Sequence, residues 1–182
     1  DQVNASYYGV DVKDNLERHY ANANYNYMSK YFVNAVLSVD GSSRVGKEAQ
    51  DGIGLFGHKF GVFPSVSGAW LISSEDFMNE SALDLLKLRA SFGITGNDGI
   101  GNYGSFQLYG GSNLLGMQGL IRSNLANPEI QWETNQKTNL GVDIATFNQK
   151  LSFSIDFYQN NISNMLTFQP LSVATGLDFY LV

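Results

Sequence analysis

Leu86-Lys87-Leu88-Arg89-Ala90-Ser91-Phe92-Gly93-Ile94-Thr95 alternates with a period of two. Leu86, Leu88, Ala90, Phe92 and Ile94 share one side, and Lys87, Arg89, Ser91 and Thr95 share the other. Side chains alternate in this way only along a β-strand, where successive Cβ atoms point to opposite faces of the sheet. The charges fall on one side, so this strand has one greasy face and one wet face.

The pattern recurs in both directions along the chain. Upstream, Ala21, Ala23, Tyr25 and Tyr27 oppose Asn22, Asn24 and Asn26. After Met28-Ser29-Lys30, Tyr31, Val33, Ala35, Leu37 and Val39 oppose Asn34, Ser38 and Asp40, which predicts a hairpin. A third strand is expected over 62–72, with Val66, Trp70 and Ile72 opposite Ser65 and Ser67. Downstream, the segment 130–145 sets Trp132, Leu140, Val142 and Ile144 against Glu133, Asn135, Lys137, Asn139 and Asp143. A sixth strand, 151–159, sets Leu151, Phe153, Ile155 and Phe157 against Ser152, Ser154, Asp156 and Tyr158.

Composition agrees with an all-β chain and excludes several alternatives. The 182 residues include 19 Gly, 3 Pro and 13% aromatics, with only 15% charged, which argues against disorder, collagen and coiled coil. A formal charge of -6 runs opposite to the footprint of a nucleic-acid binder. With no cysteine there is no disulfide and no thiolate metal site. The apolar runs are far too short for a membrane helix, but β-barrel strands need only about 9 to 11 residues of alternating character.

The connections alternate in length. Those at 28–30 and 146–150 are short, 73–85 is moderate with capping groups for one or two helical turns, and 41–61 and 96–129 are long and Gly-rich. Short turns on one side and long loops on the other characterise outer-membrane barrels. Tyr25, Tyr27 and Tyr31 beside the first short turn, with Trp70, Trp132 and Phe147 near other strand ends, are placed for an interfacial aromatic girdle.

Five blocks, in order, resemble the C-terminal half of the SusC/RagA family of TonB-dependent outer-membrane transporters. They are Tyr25-Asn26-Tyr27-Met28-Ser29-Lys30-Tyr31 running to Asp40-Gly41-Ser42-Ser43-Arg44, Phe63-Pro64-Ser65-Val66-Ser67 with Ala69-Trp70, and Leu86 to Gly93 with Thr95-Gly96-Asn97. Asn127-Pro128-Glu129 through Trp132-Glu133-Thr134 to Asn139-Leu140-Gly141, and Phe147 to Leu151 with Asp156-Phe157-Tyr158, complete the series.

The resemblance implies an all-β fold: an antiparallel meander of about six long strands forming part of a large transmembrane β-barrel, with long extracellular loops and short periplasmic turns. Such barrels have about 22 strands and a plugged lumen. On this reading residues 1–182 are one internal barrel segment, with the plug domain and terminal strands lying outside it, and an isolated sheet of this kind is expected to aggregate through its edges. The implied setting is the bacterial outer membrane. The implied partners are a SusD-like surface lipoprotein acting as a lid, the TonB complex reached through an N-terminal part, outer-membrane lipid, and a glycan or peptide substrate. No cofactor, enzymatic chemistry or nucleic acid is implied.

The faces then assign candidate residues. Lys87, Arg89, Glu133, Lys137 and Asp143 are expected to face the lumen, because Lys or Arg facing lipid at the midplane costs about 2 to 4 kcal/mol. In the long loop 96–129, Tyr103, Phe106, Gln107 and Tyr109 combine aromatic faces with an amide and hydroxyls, which suits a glycan; packing within the loop accounts for the same residues equally well.

Other motifs carry less. Gly52-Ile53-Gly54-Leu55-Phe56-Gly57 and Gly99-Ile100-Gly101-Asn102-Tyr103-Gly104 match a dinucleotide fingerprint, but neither third Gly opens a helix, so both read as loop glycines. His19 and His58 stand apart, and carboxylates such as Glu133, Asp143 and Asp156 read as solvated wall charges. Asn4, Asn79 and Asn161 begin acceptor triplets for glycosylation, which say nothing in a bacterial setting. The rival architecture is a soluble or secreted β-sandwich carbohydrate-binding module, which would bury the greasy faces against a second sheet.

Overall fold

A computed structural model describes residues 12–55 and 57–182, so the triplet at Asn4 lies outside the described residues. Six long strands dominate: β1 (Leu16–Tyr27), β2 (Tyr31–Ser42), β4 (His58–Leu71), β5 (Leu83–Asn97), β8 (Glu133–Thr146) and β9 (Leu151–Ser163). They contain 12, 12, 14, 15, 14 and 13 residues. Each exceeds the length that a tilted barrel strand needs to cross a bilayer.

The six strands form one antiparallel meander, β1-β2-β4-β5-β8-β9. A short strand, β3 (Ile53–Leu55), pairs with the start of β4. Two satellite hairpins, β6 (Tyr109–Leu114) with β7 (Met117–Arg122) and β10 (Phe168–Pro170) with β11 (Phe179–Leu181), stand apart from the sheet. Three connections gather at one end of the sheet. At the first short turn Met28 and Ser29 take the left-handed conformation and Lys30 N–H closes on the Tyr27 carbonyl at 3.1 Å, so the chain reverses in register with the strand twist. At the last, Phe147, Asn148 and Gln149 are all left-handed. Between them, β4 reaches β5 through two single turns of 3-10 helix, Ile72–Ser74 and Asp76–Met78. The long connections, through the described residues 43–55 and 98–132, occupy the opposite end.

The register sorts the side chains by face. Tyr25, Val33, Gly68, Ala90, Leu140 and Phe157 stand on one cross-strand row, and Tyr27, Tyr31, Trp70, Leu88, Val142 and Ile155 on the next. Among the described residues no sheet is stacked on this apolar face. Leu88, Phe92, Phe153 and Phe157 are 39%, 42%, 46% and 67% exposed, which overturns the sandwich alternative. On β8 and β9 the apolar face is also bounded. Beyond Leu140 and Phe157 the same side carries Thr138 beside Gln159 and Gln136 beside Asn161, so the greasy band lies toward the short-turn end.

The small core sits at the long-loop end, where Ile100, Ile130 and Leu181 pack together with Leu166 against them. This corrects the fifth strand, which begins at Glu133 and not near Ile130. Trp132 is not a girdle residue. It is 3% exposed, and its ring meets Phe63 edge-on with centroids 5.4 Å apart. Phe63 in turn lies against Gly61 and Gly96, where a Cβ would collide with its ring.

Candidate functional site

Five charged residues picked from the alternation, Lys87, Arg89, Glu133, Lys137 and Asp143, all fall on the face opposite the greasy band. Register accounts for this: Arg89 pairs with Gly141, Lys87 with Asp143, Gly93 with Lys137 and Asn97 with Glu133. The structure joins some of them. Arg89 reaches diagonally across β8, donating from Nε to Asp143 Oδ2 at 2.8 Å and from Nη2 to Asp143 Oδ1 at 2.9 Å. The same guanidinium stands 3.2 Å from Asp156 on β9, and Ser154 Oγ donates to Asp143 Oδ1 at 2.7 Å. One cation therefore stitches β5, β8 and β9.

Gly141 makes this possible. A Cβ there would stand 2.8 Å from Arg89 Nη2 and 2.5 Å from Asp156 Oδ1, so any side chain would block the guanidinium from lying across the strand. Lys137 makes no ion pair among the described residues. Glu133 belongs to the loop end, accepting from Asn97 Nδ2 at 3.1 Å and from the Leu166 backbone at 3.3 Å.

The rest of this face is neutral over β1 and β2, apart from Arg18 with Asp40 at 3.6 Å toward the loop end. Asn34 Nδ2 donates to Asn22 Oδ1 at 2.7 Å and to Asn24 Oδ1 at 2.6 Å, a three-amide cluster across the first hairpin. On β8, Asn135 Oδ1 and Asn139 Oδ1 are buried acceptors with no donor. Among the described residues no group of three or more His, Asp or Glu side chains gathers to hold a metal.

At the short-turn end the aromatic residues form a second constellation. Tyr31 stacks on Trp70 at 6.1 Å and leans on Tyr27 at 6.2 Å. Glu75, between the two 3-10 turns, accepts from Tyr31 Oη at 2.7 Å, Trp70 Nε1 at 3.0 Å and Lys30 Nζ at 3.0 Å. These three donors, Tyr31 first, hold the Glu75 carboxyl down to about 2, and Glu75 in return raises Lys30. Sequence reading found the rings and missed the carboxylate that fastens them, because nothing in the spacing of Glu75 shows three partners converging on it.

In the long loop, Tyr103 accepts from the Lys13 backbone at 2.8 Å and meets Phe106 edge-on at 6.4 Å. Gln107 Nε2 donates to the Asn124 backbone carbonyl, and Asn124 Oδ1 accepts from the Leu108 backbone at 2.7 Å. Tyr109, 60% exposed at the start of β6, projects from the loop.

Comparison with known proteins places this architecture. A family profile described as TonB dependent receptor-like, beta-barrel, matches residues 1–181. The chain is 34% identical over 180 residues to TonB-dependent receptor P39 of Formosa agariphila, covering 97% of this chain and 16% of that protein. It is 26% identical over 176 residues to TonB-dependent receptor SusC of Bacteroides thetaiotaomicron, covering 92% and 17%. A solved structure of the RagAB peptide transporter superposes with a TM-score of 0.80 at 29% identity, over 91% of this chain and 18% of that one. The chain thus spans about a sixth of the length of these relatives. An open barrel wall with one greasy face, and not a closed barrel, is what so short a span of the fold produces. The chain belongs to the TonB-dependent receptor β-barrel family.

Proposed function

We propose that residues 1–182 form one segment of the barrel wall of an energy-coupled outer-membrane importer, and that the segment performs no chemistry of its own. One observation carries this reading: toward the short-turn end the meander exposes a continuous greasy face, while the opposite face holds Arg89 with Asp143 and Asp156 and Arg18 with Asp40; Glu17 and His19, on the greasy side of β1, lie beyond the band at the long-loop end. Hydrocarbon on one side and a polar lumen on the other satisfy both faces at once. Lys87, Arg89, Glu133, Lys137 and Asp143 then line the lumen, the short turns face the periplasm, and the long loops face outward.

The parent protein takes up oligosaccharides or peptides through this wall, with a SusD-like lipoprotein over the loops and TonB driving the cycle from the far side. The RagAB relative, described as a peptide transporter, supports the peptide class of cargo, and the glycan class and the lipoprotein lid rest on the SusC/RagA resemblance. Tyr109 projects where a cargo or lid would meet the loop, with Tyr103, Phe106 and Gln107 holding the loop in shape behind it. Outer-membrane fractionation of the full-length parent, with uptake of labelled oligosaccharides and peptides before and after its deletion, tests the reading. The expected result is recovery with the outer membrane and loss of uptake of one cargo class. Recovery in the soluble fraction overturns it.

A further inference from the structure

A cleft of about 480 Å³ lies between the two satellite hairpins at the long-loop end, within the range of about 300 to 1,000 Å³ that ligand sites occupy. Leu181 lines it and ties it to the small core beside Ile100 and Ile130. From β10–β11 come Phe168 and Phe179, which meet edge-on with centroids 6.4 Å apart and are both more than half exposed. They share one face of that hairpin with Leu181, because Phe168 pairs with Leu181 and Phe179 lies two residues before it. Under the barrel-wall reading, on which this inference rests, the loop end stands outside the bilayer, so these rings have no hydrocarbon to meet. Aromatic surface left open in water beside a cleft marks a place of contact.

The other wall is a strand edge. Ile121 and Arg122 both line the cleft although successive side chains point to opposite faces, so the cleft runs along the edge of β7 and not over one face. Ser123 N–H donates to the Leu108 carbonyl at 2.9 Å, on the β6 side. Alternation along an antiparallel ladder then turns the N–H and C=O of Arg122 to the opposite edge, where β7 has no partner strand among the described residues. An open edge accepts one more strand, whose backbone continues the ladder. A glycan has no regular row of N–H and C=O groups to offer it. The cleft also carries one charge of each sign: Arg122 and Asp178 both line it, and neither is in an ion pair among the described residues.

We propose that this cleft takes a short extended peptide as an added strand on the free edge of β7, which makes peptide the cargo class that these loops read. An apolar side chain of the peptide packs on Phe168 and Phe179, an acidic one meets Arg122 and a basic one meets Asp178.

The test uses the full-length transporter in lipid vesicles. The probe is a set of five-residue peptides whose central phenylalanine carries a diazirine, with glutamate at one end and lysine at the other, in both orders. After illumination, labelled residues are mapped by mass spectrometry. The expected result is labelling concentrated at Ile121, Phe168 and Phe179, competed by peptide without the diazirine and not by maltopentaose. N-methylation of one alternate set of peptide amides should abolish it and methylation of the other set should spare it, a split that an added strand produces and a purely apolar grip does not. Phe179→Ala and Arg122→Glu should each lower labelling several-fold, whereas Val173→Ala at the exposed hairpin tip should leave it intact; heat-modified gel mobility confirms that each variant is folded. Absent or scattered labelling, competition by maltopentaose, or an equal response to the two methylation patterns overturns the peptide cleft while leaving the barrel wall standing. Recovery of the parent in the soluble fraction overturns the wall reading itself.

Discussion

Arg89 and Asp143 are joined by two parallel hydrogen bonds, 2.8 and 2.9 Å, although they are not register partners. Arg89 stands opposite Gly141, and the diagonal reach exists because that position has no side chain. The pair fixes which face of the sheet is wet, since it lies on the side away from Leu88 and Phe92. Its guanidinium is 33% exposed, so its worth is structural orientation more than stability.

The two faces should respond oppositely to neighbouring substitutions. Lys87→Ala removes a wet-face charge that has no ion-pair partner among the described residues, and membrane assembly should be close to wild type. Leu88→Lys places an ammonium in the greasy band and should cost about 2 to 4 kcal/mol, read as a large fall in heat-resistant barrel. Equal assembly of the two variants would reverse the face assignment.

Glu75 gives the short-turn end a dependence on pH. Its carboxyl is held at about 2 in the folded protein, below its ordinary value of 4.5, so the folded state binds the proton less readily than the unfolded one. The stabilisation is therefore complete above pH 4.5 and is lost as pH falls from there toward 2. The stability difference between wild type and Glu75→Gln should be constant near neutrality and shrink across that window. A difference independent of pH would show that the three hydrogen bonds do not act on the ionised carboxylate.

Phe63 supplies a packing test at the other end. Its ring is 8% exposed, lies against Gly61 and Gly96, and meets the Trp132 edge. Gly96→Ala should overpack this site and cost about 1 to 3 kcal/mol in urea unfolding. The Phe63→Leu, Gly96→Ala double variant should recover part of the loss. No effect of Gly96→Ala would mean that the ring has another place to go.

Tyr103 and Tyr109 separate the two roles of the long loop. Tyr109→Ala should lower uptake several-fold and leave protease resistance of the loop unchanged. Tyr103→Ala should loosen the loop, because it removes both the acceptor for Lys13 and the edge contact with Phe106. Unchanged uptake in both variants would assign the loop to packing alone.

What the sequence disclosed followed from side-chain period. β5, β8 and β9 alternate without interruption over their greasy halves, so their faces were legible residue by residue. The satellite hairpin β6–β7 was not, because Gly110-Gly111-Ser112-Asn113 has no alternation to read, and the segment 96–129 reads only as a long Gly-rich connection. β1 starts at Leu16, ahead of the alternation that becomes readable at Ala21, since Leu16-Glu17-Arg18-His19 carries charge on both faces beyond the band. Trp132 misled because alternation was carried back across the end of β8. One residue outside a strand, tertiary packing against Phe63 decides where a ring points, and local period does not. The Arg89 bridge was hidden for a related reason: both residues were placed on the right face, but a diagonal contact depends on register, which the 35-residue connection 98–132 conceals.

The central claim is that one side of this meander meets hydrocarbon and the other meets water. Single nitroxide labels placed in turn at positions 86 to 95 of the full-length protein in lipid vesicles measure this directly, through relaxation by oxygen, which partitions into lipid, and by a water-soluble nickel complex. The expected result is a period of two in opposite phase, with oxygen dominant at 86, 88, 90, 92 and 94 and nickel dominant at 87, 89, 91 and 95. In-phase profiles, or nickel access at 88 and 92 equal to that at 89 and 91, would contradict the account.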